Sequence, residues 1–195
     1  MRKLLPPLIL LLLLFVSVVS AQNVIKIEKV SPHSVHIVGD NFEGIIFDKE
    51  YSSSWLSSKG SDEVIYAPDD QYIDKIDIGK SNRFTPSTDD IILTEDILQS
   101  DLKLINKKLL FSNSWRGPVV YKNLQKYVRQ YFGFVNKKME KVIYINCFWN
   151  DDETKEDIYW LKNYYHNFDG GSYYWQIKVN LTTGQLFDFG VNQSI

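Results

Sequence analysis

The apolar residues of this chain change their spacing part-way along the sequence. Upstream they recur at intervals of three and four residues, at Ile97, Leu98, Leu102, Ile105 and Leu109. This repeat predicts one amphipathic helix with a single apolar stripe to bury. Thr94 would be its N-cap. Glu95 and Asp96 would lie at the positive end of the helix dipole, and Lys107 and Lys108 at the negative end.

Downstream of Gly117-Pro118 the pattern becomes alternating. Four runs predict strands, at residues 124–135, 141–149, 172–181 and 185–191. Thr182-Thr183-Gly184 would be the turn of a hairpin that joins the last two. One helix followed by hairpin-linked strands predicts an α+β fold, with the helix packed on an antiparallel sheet of about four strands.

Alternation also divides the strand side chains between two faces. The face toward the helix would comprise Val128, Phe132, Ile143, Ile145, Cys147, Trp149, Trp175, Ile177, Val179, Phe187, Phe189 and Val191. The opposite face would display Tyr127, Arg129, Tyr131, Tyr144, Asn146, Tyr174, Gln176 and Lys178.

The second face contains the candidate binding residues, because tyrosine supplies rigid contact area with a polar tip and arginine supplies a planar fork for carboxylates. These candidates are Tyr127, Arg129, Tyr131, Tyr144 and Tyr174. The competing interpretation is that the N-terminal segment packs on this aromatic face and buries it.

The chain begins with the features of a cleavable signal peptide over residues 1–21. Arg2 and Lys3 precede an apolar run at residues 8–19, and small residues follow it. The run is shorter than the ~20 residues that span a bilayer as a helix, so the protein is not expected to span the membrane after cleavage. We expect export to the periplasm or beyond the cell.

Two further segments complete the predicted organisation. Residues 22–84 contain short β-branched runs broken by Pro32, Gly39 and Gly44, followed by a serine-rich stretch, and predict an irregular segment of strands and loops. Residues 85–195 form the predicted helix-and-sheet domain.

Charge and cysteine content exclude several classes of function. Without Arg2 and Lys3 the chain has 20 basic and 24 acidic residues, a net charge of −4 that does not favour nucleic acid as a partner. Cys147 is the lone cysteine, so no disulfide can form within the chain. Its position within a strand predicts a buried apolar role and not a nucleophile.

Other candidates for chemistry have simple structural interpretations. His33, His36 and His166 are expected in surface or turn positions, and the acidic clusters lack the spacing of a calcium loop. No Gly-x-Ser-x-Gly elbow is present. We therefore expect no cofactor, no metal and no identifiable catalytic residue. Asp169-Gly170-Gly171 predicts a turn before a strand, and a ligand-binding loop is the alternative.

Two resemblances add to this interpretation. Residues 127–133 (YVRQYFG), residues 141–148, Asp169-Gly170-Gly171 and Val191-Asn192 resemble an uncharacterised family of exported bacterial proteins over residues 84–192. That resemblance implies export and a shared fold, and no reaction. Residues 175–189 resemble the final hairpin of PepSY-type and cystatin-like domains, some of which inhibit proteases.

The sequence therefore favours an exported, non-catalytic binding or inhibitory module with an extracytoplasmic protein or peptide as its partner. An extracytoplasmic enzyme without a recognisable motif and a structural envelope protein are the alternatives. An enzyme would need a concave pocket with convergent ionisable groups. A binding module would need an accessible surface.

Overall fold

A computed structural model describes residues 24–51, 83–109, 117–136, 138–151, 158–165, 167 and 169–192. The predicted signal peptide, most of the serine-rich stretch and His166 lie outside these ranges. The strands are β1 Val24–Ser31, β2 Ser34–Gly39, β3 Glu43–Phe47, β4 Arg83–Phe84, β5 Tyr127–Val135, β6 Lys141–Trp149, β7 Tyr174–Asn180 and β8 Gln185–Val191. The helix α1 is Thr88–Leu109. The short 3₁₀ turns are Val120–Lys122, Leu124–Lys126, Ile158–Leu161 and Gly171–Tyr173.

The eight described strands form one mixed sheet in the order β1-β2-β3-β5-β6-β7-β8, and β4 pairs with β5. Strands β3 and β5 run parallel, whereas the other pairs are antiparallel. The predicted α+β fold, one helix on about four antiparallel strands, is therefore wrong, and the described structure is mostly β. The strands β5 to β8 were predicted close to their observed bounds.

The N-terminal strands join the same sheet because their glycines and proline do not interrupt it. Pro32 lies in the turn between β1 and β2, and Gly39 ends β2. Gly44 lies inside β3, where a Cβ atom would be 2.5 Å from the carbonyl oxygen of Arg129 on β5. Only glycine permits this close approach of two strand backbones.

Helix α1 begins seven residues earlier than predicted, because Ser87 is its N-cap and not Thr94. The Ser87 hydroxyl accepts a hydrogen bond from the backbone N–H of Asp90, and the Asp90 carboxylate accepts one from the Ser87 N–H. This reciprocal pair is a capping box. Thr94 is buried in the helix and donates to the Asp90 carbonyl.

Two apolar cores lie on opposite faces of the sheet. The first lies under α1 and comprises Ile37, Phe42, Ile46, Ile91, Leu98, Leu102, Val120, Leu124, Tyr127, Tyr131, Ile143, Ile145, Cys147, Trp175, Ile177 and Val179. The second comprises Ile45, Phe47, Tyr51, Val128, Phe132, Phe134, Tyr144, Phe148, Trp160 and Tyr164. Residues 158–165 therefore cover much of the face that α1 does not. None of the helices in the described ranges combines the length and apolar character needed to cross a membrane.

Candidate functional site

The predicted face of β5 is wrong, and this separates the candidate tyrosines. The β5–β6 register places Arg129 opposite Cys147 and Tyr131 opposite Ile145, and directly opposed residues share a face. Tyr127, Arg129 and Tyr131 therefore point toward α1 and are at most 1% exposed. Val128 and Phe132 lie on the other face.

Arg129 lies at the centre of a buried polar cluster under the helix. Its Nη1 donates to the carbonyl of Tyr127 and its Nη2 to the carbonyl of Leu124, at 3.1 and 2.8 Å. Its Nε lies 3.2 Å from Oε1 of Glu95 on α1, which also accepts a 2.8 Å hydrogen bond from the Tyr131 hydroxyl. The cluster joins the helix, β5 and the turn Leu124–Lys126.

Burial shifts the ionisation of every group in this cluster. Burial raises the pKa of Glu95, and Arg129 and the Tyr131 hydrogen bond offset part of that rise. Burial alone would lower the pKa of Arg129, but the Glu95 carboxylate beside it raises that pKa overall.

Burial also raises the pKa of the nearby Cys147 thiol well above its ordinary value. Cys147 is fully buried and its thiol is far from being a thiolate, which confirms the prediction of an apolar role.

Tyr144 and Tyr174 lie on the opposite face, beneath and beside residues 158–165. The Tyr144 hydroxyl is 3.1 Å from that of Tyr164, and Tyr144 is 2% exposed. Tyr174 is half-buried and stacks with Tyr165 at a centroid distance of 6.3 Å. The sheet thus separates these two tyrosines from the other three candidates.

A row of amides that were not among the candidate binding residues, Gln130 and Asn146, holds residues 158–165 in place. Gln130 on β5 donates to the carbonyls of Trp160 and Asn163 and accepts from the Tyr165 N–H. Asn146 on β6 donates to Gln130 and to the Tyr165 carbonyl. These hydrogen bonds fix residues 158–165 against this face of the sheet, so the two amides have a structural role.

The Asp169-Gly170-Gly171 segment forms a turn that packs against its neighbours. Gly170 has φ 95°, and a Cβ atom there would be 2.6 Å from the Tyr174 ring. Ser172, which follows Gly171, donates from its hydroxyl to the Pro118 carbonyl, and its own carbonyl accepts a hydrogen bond from the Tyr127 hydroxyl. The turn therefore contacts one candidate tyrosine on each side of the sheet.

The two described histidines each contact a different carboxylate. His33 Nδ1 is 3.1 Å from an Asp48 carboxylate oxygen, and His36 Nε2 is 2.9 Å from one of Glu43. Within the ranges that the structure describes, no three His, Cys, Asp or Glu side chains are grouped to hold a metal ion.

An open cleft lies between the C-terminal half of α1 and the two turns Val120–Lys122 and Leu124–Lys126. We call it the α1 cleft. Its volume is about 570 Å³, and its lining residues are Asn41, Leu98, Gln99, Leu102, Lys103, Tyr121, Lys122, Leu124 and Gln125. The leucines are buried and form the floor, whereas the amides and lysines are exposed at the rim. None of the residues predicted to bind a partner lines it.

The buried cluster nevertheless supports the floor of this cleft. Arg129 binds the carbonyl of Leu124, and Leu124 lines the cleft. Asn123 is held by the neighbouring turn, since its side chain donates to the Val119 carbonyl at 2.9 Å. Arg129, which was predicted to bind a partner, therefore positions Leu124 in the floor and does not reach the surface of the cleft.

Comparisons of this chain with protein-family models, with curated proteins and with solved structures found no match.

Proposed function

We propose that this protein is an exported, non-catalytic module that binds a peptide segment of a protein partner in the α1 cleft. The observation that carries the proposal is the composition of the cleft. A buried leucine floor is surrounded by exposed side-chain amides and lysines. Apolar floors with a few polar groups at the rim are typical of binding sites.

The rim amides favour a peptide as the occupant. Asn41, Gln99 and Gln125 each offer one acceptor oxygen and two donor hydrogens. Main-chain peptide groups present the complementary donor and acceptor. An extended segment could therefore bond to the rim while one of its apolar side chains packs on the floor.

The same lining argues against catalysis in the cleft. Among the described residues, those that line it include no imidazole, thiol or carboxylate. Removal of the ammonium group from solvent is one way in which a lysine is activated as a nucleophile, whereas Lys103 and Lys122 are exposed. The described lining of the cleft thus offers contact area and hydrogen bonds, with no histidine, cysteine or carboxylate to act as a general base.

The test is selection of binders from a displayed library of random dodecapeptides on the purified protein, followed by affinity measurements on two variants. Gln99→Trp places an indole at the rim, whereas Ser100→Trp is the matched control, exposed on the same helix and outside the lining. We expect Gln99→Trp to weaken the selected peptides by at least about tenfold and Ser100→Trp by less than about twofold. Equal affinities for the two variants would show that the peptides bind elsewhere.

A further inference from the structure

Two exposed lysines lie at the rim of the α1 cleft. Lys103 comes from α1 and Lys122 from the turn Val120–Lys122. Neither forms an ion pair with a residue in the described part of the chain. Other lysines divide in the same way: Lys26, Lys141 and Lys178 pair with Glu28, Asp90 and Asp188, whereas the exposed Lys138 and Lys162, which do not line the cleft, form no ion pair with a described residue.

The helix dipole does not account for these two charges. A cation stabilises the negative end of a helix only within about the last turn. Lys103 precedes the last residue of α1, Leu109, by six positions. Lys122 belongs to a 3₁₀ turn of three residues, which has no comparable dipole.

We infer that the α1 cleft selects an acidic peptide segment, in which carboxylates flank one apolar side chain. This inference rests on the proposed function. The apolar side chain packs on Leu98, Leu102 and Leu124, and the carboxylates pair with Lys103 and Lys122. Among the described residues no carboxylate lines the cleft, so an acidic segment meets complementary charge and no repulsion from the lining.

The experiment uses the same dodecapeptide library and two charge-reversed variants. Lys103→Glu/Lys122→Glu reverses the charge at the rim of the cleft. Lys138→Glu/Lys162→Glu is the control, because both of its lysines are exposed, neither lines the cleft, and the change in net charge is the same. Affinities are measured by fluorescence polarisation at low and high salt.

We expect the selected sequences to be rich in Asp and Glu beside one large apolar residue. Their affinity should fall by about tenfold or more in Lys103→Glu/Lys122→Glu and by less than about twofold in the control. Added salt should weaken binding to the unmodified protein, because exposed charge pairs are screened.

A failure of the acidic inference can be distinguished from a failure of the proposed function. Selected peptides that are neutral or basic, or that ignore the charge reversal, yet are lost in Gln99→Trp, would overturn the acidic inference and leave the proposed function standing. Peptides that ignore Gln99→Trp, or a selection that enriches none, would overturn both. Binding to phosphatidylglycerol vesicles with no peptide enriched would replace the peptide with a lipid surface.

Discussion

At the scale of single residues, Glu95 and Arg129 have the largest consequences. Both side chains are fully buried, and their contact joins the helix to the sheet. The second Glu95 oxygen, Oε2, has no hydrogen-bond partner in the part of the chain that the structure describes. A buried charge that loses its only opposite charge is strongly destabilising, whereas replacing the whole pair is much less so.

Glu95→Gln should therefore lower the free energy of unfolding by about 3–5 kcal/mol, because it leaves the Arg129 guanidinium buried without a counter-charge. The double variant Glu95→Met/Arg129→Met should recover part of that loss, since no buried charge remains. Urea denaturation of both variants is the measurement. A double variant less stable than Glu95→Gln would contradict this account of the cluster.

The buried hydroxyl of Tyr164 makes the stability of the fold depend on pH in the alkaline range. Burial raises its pKa to about 12, although the Tyr144 hydrogen bond opposes the rise. A group whose pKa is higher in the folded state contributes stability that is complete below its unfolded pKa, near pH 10, and lost as pH rises through about 12. This loss amounts to about 2 kcal/mol at the upper end of that range.

Tyr164→Phe removes this titration. Its free energy of unfolding should fall less steeply between pH 10 and 12 than that of the unmodified protein. Denaturation curves across this interval measure the two slopes. Identical slopes would show that the Tyr164 hydroxyl ionises as readily when folded as when unfolded.

At the scale of elements, β5 explains what the sequence could predict and what it could not. Strands β5 to β8 were predictable because each run has strong alternation and a turn beside it. The face of β5 was not, because Tyr127, Val128, Tyr131 and Phe132 make both of its faces aromatic or apolar. The register with β6 determines which face each β5 side chain occupies, and in that register Val135 pairs with Lys141 across the hairpin.

The first three strands were partly predictable. Their β-branched runs indicated strands, but no local pattern shows that β3 pairs in parallel with a strand some eighty residues later. That pairing depends on Gly44. The start of α1 was predicted wrongly, although Ser87 and Asp90 have capping-box spacing and could have located it.

Gly44→Ala should be among the most destabilising small substitutions in this chain, at about 2–3 kcal/mol, because its methyl group would overlap the Arg129 carbonyl. Gly190→Ala on β8 is the control, where the nearest atom would be a Gln176 side-chain oxygen at 3.8 Å. Thermal unfolding of both variants tests this close approach. Equal melting temperatures would mean that β3 and β5 can separate at no cost.

At the scale of the whole molecule, the candidate site is built from three segments that are distant in sequence. Asn41 follows β2, residues 98–103 belong to α1, and residues 121–125 belong to the two 3₁₀ turns. Each segment has an ordinary local pattern. The cleft exists only after the sheet has brought them together, so no local pattern in the sequence could locate it.

The most direct test of the α1 cleft is a nitrogen-15 NMR titration of the protein with a selected peptide, read at the side-chain amides. We expect the NH₂ signals of Asn41, Gln99 and Gln125 to shift together, with one saturation curve. Those of Asn163 and Gln185, which do not line the cleft, should stay in place. Shifts confined to Asn163 or Gln185, with the three rim amides unchanged, would contradict it.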